Sequence, residues 1–325
     1  MNARLAKLVL GLITASWIAS AAVAQESWPT RQIQIIVPLP AGSAADTVAR
    51  LVGSKLSERL RQTVIVINRD GASGTIGTQQ VAKAEPDGYT LGLATSTTLV
   101  TAPILDRRIP YDAERDFAPV AMIGYSPYVL VTNPSVPAKT VTEFIALAKA
   151  KPAMVTYSSV GEASLARLAA ELLANMSGIS LVQVPYKSST QAVVDVLGGR
   201  IDAQFGILST THQYIKEGKL NALGVTTLKR VPDFPEMPTL DEMGLPGYEA
   251  TLWLGLIAPS KTPIPVTTRL NTEVNAILVE PSVRTALAAQ AIVDDPQSRQ
   301  GFSETIRKDL AKWRDLAVAA GLMLR

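Results

Sequence analysis

Apolar residues occur along this chain in two alternating patterns, as short continuous runs and at helical spacing. Residues 32–37 are rich in isoleucine and valine, which is typical of a buried strand, and from 48 to 60 the apolar residues recur at intervals of three and four. Ser43 or Asp46 can cap this helix, because either side chain accepts a hydrogen bond from a first-turn amide. The segment therefore predicts a strand, a small-residue loop and a helix.

The same arrangement occurs a second time. Residues 154–157 are apolar enough for a strand, residues 158–164 are mostly small or polar, and 165–176 again show helical spacing. Gly178 is placed to end that helix. Two copies of one unit predict an α/β fold with two lobes and largely parallel sheets.

Further predicted strands and helices complete the two lobes. Further predicted strands cover residues 64–67, 89–94, 182–186, 203–207 and 222–226, and predicted helices cover 191–197, 214–216, 265–278 and 301–319. A new strand is predicted to begin at 129–131, and the glycines of 71–77 indicate a turn. We expect the chain to leave the first lobe near Tyr125 and to return near Trp253, so the predicted lobes are 25–124 with 251–325, and 125–250. Two crossings between them form a hinge.

The first 24 residues have the pattern of an export signal. A short basic start is followed by an apolar stretch, and Ala22, Val23 and Ala24 form a small-x-small cleavage site. An uncleaved membrane anchor is the alternative, since the apolar stretch is just short of the roughly 18 residues of a spanning helix. We favour cleavage, which predicts a soluble periplasmic protein.

Composition excludes most catalytic chemistry. The chain has 31 basic and 28 acidic residues without a basic block, so nucleic acid is not an expected partner. It has one histidine, His212, and no cysteine, which makes a zinc site of common ligands and a histidine-dependent hydrolase unlikely to be present. Phosphate-loop, dinucleotide and nucleophile-elbow motifs are missing. We therefore expect no enzyme, no cofactor and no metal.

The two strand-to-helix loops are the candidate binding site. A helix amino terminus offers unpaired amides and a partial positive charge, and small residues let the backbone approach a carboxylate. The first loop supplies Ala41, Gly42, Ser43, Ala44 and Ala45. The second loop supplies Ser158, Ser159, Gly161, Glu162, Ala163 and Ser164.

Three other groups have two interpretations each. Thr97 and Thr98 follow a predicted strand at the edge where ligands bind in parallel sheets, but threonine is also a common strand and cap residue. Glu162 either complements the helix dipole or accepts a hydrogen bond from a ligand amine or hydroxyl. Lys187 either attracts an acid or remains solvated.

Several motifs together resemble the Bug-type receptors, the periplasmic solute-binding subunits of tripartite tricarboxylate transporters. The resemblance covers nearly all of the chain after the export signal. Its motifs are residues 38–43 with Asp46, 68–77, 84–91, 110–120, 184–187, 197–202 and 246–255. The chain departs from the family pattern at Ala41, Ser43, Ala163, Arg167 and Ser188.

This resemblance implies a periplasmic binding protein type II fold whose lobes close on a small organic acid through backbone amides and water. It implies contacts at 41–45 and 158–164, with Thr97 and Thr98 nearby, and membrane transport subunits as partners. We expect a monomer that captures a dicarboxylate, an aromatic carboxylate or a similar acid. A sensory protein that presents the ligand to a receptor kinase is an alternative, and an exported hydrolase is a weaker one.

Overall fold

A computed structural model of the protein describes residues 28–161, 163–232 and 234–322. The predicted export signal at 1–24 and the candidate contact Glu162 lie outside these residues. Within them, none of the helices combines the length and the hydropathy that crossing a membrane requires.

Ten strands and ten α-helices alternate along the described chain. The strands are β1 (Ile33–Val37), β2 (Val64–Asn68), β3 (Thr90–Thr95), β4 (Phe117–Thr132), β5 (Thr156–Val160), β6 (Val182–Tyr186), β7 (Ala203–Ile207), β8 (Asn221–Val225), β9 (Thr251–Pro259) and β10 (Val293–Asp294). The helices are α1 (Ala44–Leu60), α2 (Thr75–Ala82), α3 (Ala102–Leu105), α4 (Val141–Ala150), α5 (Leu165–Ser177), α6 (Ser189–Leu197), α7 (Leu208–Lys216), α8 (Ile264–Leu278), α9 (Pro281–Ala288) and α10 (Arg299–Ala319). A 3₁₀ turn at Ala72–Gly74 and a π-helical turn at Thr97–Thr101 complete the set.

The strands form one mixed sheet in the order β2-β1-β3-β9-β4-β7-β5-β6, and β8 and β10 also pair with β4. Parallel pairs join β1 to β2 and β3, and β5 to β6 and β7. Every antiparallel pair involves β4 or β9. This confirms the predicted α/β fold with two parallel units, and it shows that antiparallel strands connect them.

Strand β4 links the two halves of the sheet. Its residues from Phe117 to Pro127 pair with β9, whereas Tyr128 to Thr132 pair with β7 and β8. We call the strands up to this change, with β9 and β10, the first half, and β5 to β8 the second half. Thr226 holds both crossings together: its hydroxyl lies 2.6 Å from the Ala250 carbonyl and 3.2 Å from the Tyr128 carbonyl.

Two local predictions are wrong, and a third, the turn at 71–77, is correct only for its first part. New strand was expected to begin at 129–131, but β4 is continuous from Phe117, because Pro119 is accommodated beside a register shift in the pairing with β9 and Pro127 lies at the end of that pairing. Residues 71–77 form a 3₁₀ turn and the start of α2, where Gly71 and Gly74 take positive φ values. Ser158, Ser159 and Val160 belong to β5 instead of a loop, because they continue the pairing with β6.

Three apolar clusters fill the space between the sheet and its helices. One cluster packs α1 and α8 against the first half, and another packs α6 and α7 against the second half. The third spans both halves, since it joins Leu99 and Ile104 to Leu165 and Leu173 through the α10 side chains Phe302 and Leu310. Helix α10 thus packs against both sides of the chain crossing.

Candidate functional site

The first candidate turn lies between β1 and α1. Ser43 caps α1, since its hydroxyl accepts a hydrogen bond from the Asp46 amide at 3.2 Å. Gly42 has φ +80°, a conformation that side chains other than glycine rarely adopt. Ala41, Gly42 and Ala44 are exposed, whereas Ala45 is buried. Among the described residues, the amides of Ala44 and Ala45 have no protein acceptor, so both remain available to a ligand.

A buried carboxylate holds this turn in place. Asp46 accepts hydrogen bonds from the Gly42 amide at 2.9 Å, from Arg50 Nε at 3.0 Å and from Asn68 Nδ2 at 2.9 Å. Asn68 also donates to the Leu39 carbonyl at 3.1 Å. Burial opposes ionisation of Asp46, but the bonds from Arg50, Gly42 and Asn68 outweigh it and hold the pKa of this carboxyl below its usual value. The Gly42 amide is therefore already occupied by the protein.

Hydroxyl groups surround the carboxyl end of β3. Thr98 is buried, and its hydroxyl accepts a hydrogen bond from the Thr95 amide at 3.0 Å, while Thr95 Oγ1 accepts one from the Thr98 amide at 3.2 Å. These bonds occupy the Thr98 side chain. Thr97 is half-buried. Ser96, which the sequence did not single out, is fully buried, and its hydroxyl has no hydrogen-bond partner among the described residues.

The second candidate turn follows β5. The Gly161 amide donates to the Tyr186 carbonyl at 3.0 Å, and Gly161 has φ +77°. The Gly161 carbonyl accepts hydrogen bonds from the hydroxyls of Ser164 at 3.2 Å and Ser159 at 3.3 Å. Ser164 caps α5 by accepting a hydrogen bond from the Arg167 amide at 3.4 Å. The hydrogen bonds within the described part of this turn therefore come from serine hydroxyls and backbone groups.

The two serine side chains of β5 differ in their hydrogen bonds. Ser159 accepts a hydrogen bond from Gln183 Nε2 at 2.8 Å. Ser158 is fully buried, and within the described chain its hydroxyl has no partner. In the adjacent strand β7, Gln204 is also buried and its Oε1 has no partner there. Sequence spacing gave no signal for Gln204, because only the strand register brings it beside Ser158.

The π-helical turn connects both candidate turns. A Cβ placed on Gly74 would lie 2.7 Å from Thr98 Cγ2 and 3.2 Å from the Pro38 carbonyl, so Gly74 packs between this segment and Pro38, the residue that follows β1. On the other side, the buried Thr101 hydroxyl donates to the Ala163 carbonyl of the second turn at 2.7 Å. The two halves of the molecule are thus in direct contact at the candidate site.

A charged cavity of about 370 Å³ lies apart from the candidate residues, beside the chain crossings. Within it, Lys312 donates to the Glu249 carbonyl at 2.5 Å, and Trp253 Nε1 donates to Asp309 at 2.8 Å. Burial raises the pKa of Asp309 to about 6 and lowers the pKa of Lys312. These bonds fasten α10 to the second crossing.

The remaining sequence candidates lie elsewhere. Lys187 is exposed and lines a surface groove with Tyr186 and Asp195. His212 is half-buried within α7, and its ring centroid lies 5.6 Å from that of Phe234. In the part of the chain that the structure describes, no three acidic, histidine or cysteine side chains are grouped as a metal site would need.

Comparison with known proteins places this geometry in a family. A family model described as tripartite tricarboxylate transporter family receptor matches residues 48–322. Protein BugT of Bordetella pertussis is 35% identical over 329 residues, which cover 100% of both chains.

Solved structures agree with that match. The structure named R. palustris Rpa4515 with adipate has a TM-score of 0.80 and 34% identity, covering 90% of this chain and 98% of that one. MatC from Rhodopseudomonas palustris with bound malate has a TM-score of 0.76 and 28% identity, covering 89% and 99%. PhnD1 from Prochlorococcus marinus, at 13% identity and a TM-score of 0.54, shares the fold alone. Two of these solved structures carry a bound carboxylate, adipate in one and malate in the other.

Proposed function

The chain belongs to the tripartite tricarboxylate transporter receptor family, and from this premise we propose that it is a periplasmic receptor for a small organic acid. The acid binds between the two halves and is delivered, in the closed form, to the membrane subunits of a transporter. The receptor acts as a monomer after its export signal is removed. Adipate and malate in the similar structures support a carboxylate ligand.

The observation that carries this proposal is the pair of capped helix starts that adjoin one hydroxyl-rich segment. Ser43 and Ser164 cap α1 and α5. Thr101 in the segment Thr97–Thr101 donates a hydrogen bond to the second turn, and Gly74 packs between Thr98 of this segment and Pro38 at the start of the first turn. A helix start attracts a negative charge, because its unpaired amides carry partial positive charge. A carboxylate held at one turn and a second polar group held at the other would join the halves.

Closure follows from where the contacts lie. A ligand that touches both turns gains its full set of hydrogen bonds only when the halves are together, so it shifts the population toward the closed form. Strand β4 and the return at Ala250 supply the two crossings about which the halves move, with the lobes divided as the sequence predicts. The bond between Thr101 and Ala163 belongs to the closed arrangement.

One backbone amide offers a sharp test. Ala44 is the first residue of α1, and Ser43 before it has φ −68° and ψ 159°, an extended conformation that a following proline requires. Ala44→Pro therefore removes a single N–H group while proline remains favourable at this helix position. We expect normal thermal stability without ligand and a loss of acid affinity of about tenfold, as for one hydrogen bond to a charged group.

The measurement is isothermal titration of the wild type with acids selected by thermal shift from dicarboxylates, aromatic acids and amino acids. Ala44→Ser keeps the amide and serves as the matched control, so its affinity should equal that of the wild type. Failure of every acid to stabilise the wild type would overturn the proposed function. Equal acid binding by Ala44→Pro and the wild type would remove the first turn from the site.

A further inference from the structure

Two buried polar atoms next to each other in the second half have no partner in the described chain, namely Ser158 Oγ and Gln204 Oε1. Ser158 is 0% exposed and Gln204 is 3% exposed. Most buried polar atoms in proteins are hydrogen-bonded, because an unpaired one loses its bonds to water without replacement. A pair of such atoms in a binding protein is therefore a candidate contact with the ligand.

The strand register places these two side chains together. Ser158 of β5 is aligned with Gln204 of β7 in a parallel pair, so both side chains leave the same face of the sheet. The carboxyl ends of these two strands share one edge, which is the edge that carries the second candidate turn at Gly161 and Ser164. Ligands of parallel α/β sheets bind at this edge.

The Gln204 side chain extends toward that edge. Its Cδ and Oε1 both lie 3.6 Å from the point that a Cβ on Gly206 would occupy, two residues further along β7. Gly206 has no side chain there, and Thr211 closes the opposite side with its Cγ2 2.5 Å from the same point. Helix α7 begins directly afterwards at Leu208. The carboxamide thus lies beside the start of a nine-residue helix.

The threonine hydroxyl groups in the first turn of α7 do not donate a hydrogen bond to Gln204 Oε1. Thr210 and Thr211 both donate to the Ile207 carbonyl, at 2.9 and 3.1 Å. Among the described residues, α7 has no side-chain cap, so its first-turn amides also remain donors. The edge therefore offers a carboxamide oxygen that accepts, together with a serine hydroxyl and amides that donate.

A hydroxyl group matches this combination. It donates to Gln204 Oε1 and accepts from Ser158 or from a first-turn amide of α7. It also pairs with the carboxamide in either orientation of that group, because a hydroxyl both donates and accepts. A second carboxylate offers only acceptors, so in the described orientation it would leave Gln204 Oε1 facing another oxygen, and it could pair only with Nε2 after the carboxamide turned over. An alkyl chain would leave both atoms unpaired.

We propose that Gln204 and Ser158 are specificity-determining residues that bind a hydroxyl on the ligand's carbon chain, so that the receptor prefers a hydroxylated acid to the same acid without the hydroxyl. This inference rests on the proposed function, since it assigns the ligand class of the same site. The two side chains act at the second half, whereas the amides of Ala44 and Ala45 hold the carboxylate at the first.

The test compares matched pairs of acids by isothermal titration at one pH and ionic strength. Succinate with malate, and glutarate with 2-hydroxyglutarate, differ only in the hydroxyl. We expect the wild type to prefer at least one hydroxylated member by about tenfold, the effect of a hydrogen bond to a buried partner. Gln204→Met keeps the length of the side chain and removes its polar atoms, so this preference should disappear while affinity for the plain acid is retained.

Two further variants keep the result interpretable. Ser158→Ala is the second test, and it should reduce the preference without abolishing it. Thr132→Val is the control, since Thr132 is also fully buried with an unpartnered hydroxyl but pairs with Ala203, whose side chain leaves the opposite face of the sheet from that of Gln204. The control should leave the preference unchanged. Circular dichroism and thermal unfolding establish that each variant is folded.

The possible outcomes separate the two proposals. Loss of the preference in Gln204→Met, with Thr132→Val unchanged, supports the inference. A wild type that binds plain and hydroxylated acids equally, or a Gln204→Met protein that keeps the preference, overturns the inference and leaves the proposed function standing. If Gln204→Met does not fold, an unchanged preference in Ser158→Ala overturns it. Binding of no acid at all overturns both.

Discussion

The two candidate turns have the same cap but different supports. In each, a serine hydroxyl accepts a hydrogen bond from the amide three residues later, at Ser43 and at Ser164. Behind the first turn lies the buried Asp46, bound by Arg50 and by Asn68. Around the described part of the second turn, neutral hydroxyl groups and a backbone carbonyl provide the support.

This difference suggests that the two turns have different roles in ligand binding. The charged network uses the Gly42 amide and fixes the first turn before any ligand arrives, so its free amides are already in position. Hydroxyl groups rotate at little cost, so the second turn can exchange its internal hydrogen bonds for bonds to a ligand. We infer that the first turn sets the position of the acid and that the second adjusts to it.

Removal of the charge network should have the largest effect. Asp46→Ala leaves the Gly42 amide and the Asn68 side chain without their acceptor, and it leaves Arg50 without its carboxylate. We expect a loss of about 2 to 3 kcal/mol in the free energy of unfolding, the range for hydrogen bonds to charged groups. Urea unfolding at pH 7 measures it.

A surface ion pair provides the matched control for Asp46. Asp87 binds Arg31 at 2.7 Å, but their side chains are 39% and 62% exposed. Asp87→Ala should therefore cost less than about 1 kcal/mol. Equal losses in the two variants would contradict the idea that Asp46 fixes the first turn.

The same carboxylate should make stability depend on pH. The pKa of Asp46 is lower in the folded protein than in the unfolded chain, so its contribution is present above about pH 4 and is lost as pH falls through the lowered folded pKa. Unfolding titrations between pH 3 and pH 7 should show a smaller acid-induced loss in Asp46→Ala than in the wild type. An identical pH profile in both proteins would contradict this.

Asp309 should act with the opposite sign in these titrations. Its pKa is raised to about 6, so its contribution is present below the unfolded value of about 4 and is lost as pH rises through 6. Asp309→Asn should remove that loss without affecting the acid side of the profile.

Removal of either cap should have the same effect on stability, but the two removals should have different effects on acid affinity. Ser43→Ala and Ser164→Ala each remove one cap, and each should lower the free energy of unfolding by about 1 kcal/mol. Because Asp46 supports the first turn independently, Ser43→Ala should leave acid affinity nearly unchanged. Ser164→Ala also removes one of the two hydroxyl hydrogen bonds to the Gly161 carbonyl and should weaken binding several-fold. Titration calorimetry distinguishes them, and equal losses of affinity would argue against unequal turns.

The smallest effect is expected from the contact between the halves. Thr101→Val keeps the shape of the side chain and removes its 2.7 Å hydrogen bond to Ala163. The closed form should lose about 1 kcal/mol, which corresponds to roughly fivefold faster ligand release. Stopped-flow displacement measures that rate. Unchanged release would show that the bond does not favour closure.

The individual strands of the fold could be predicted from the sequence, but the long strand β4 that connects its two halves could not. Strands at 182–186 and 203–207 occur as predicted, because local apolar runs determine them. The continuity of β4 could not be predicted, since the local preference of Pro119 and Pro127 against central strands is overridden by pairing with β9. Tertiary pairing determines such a strand.

The candidate site shows the same limit. The Ser43 cap could be predicted, with Asp46 as the alternative, since a cap depends on neighbouring residues alone, whereas Ser164 was predicted as a ligand contact and caps α5. Thr101 and Gln204 could not, because the Thr101 partner lies 62 residues away and Gln204 meets Ser158 only through strand register. A sequence pattern with no pairing information carries no signal for such contacts.

The place of β9 has a consequence for how the chain acquires its structure. This strand lies between β3 and β4, although Thr251–Pro259 comes more than a hundred residues after either has begun. The first half therefore cannot complete its hydrogen-bonded ladder until most of the polypeptide has emerged, and such distant pairing is slow. Late pairing of β9 therefore keeps the chain unfolded for longer. This is compatible with the proposed export, if the chain crosses a membrane channel before it folds.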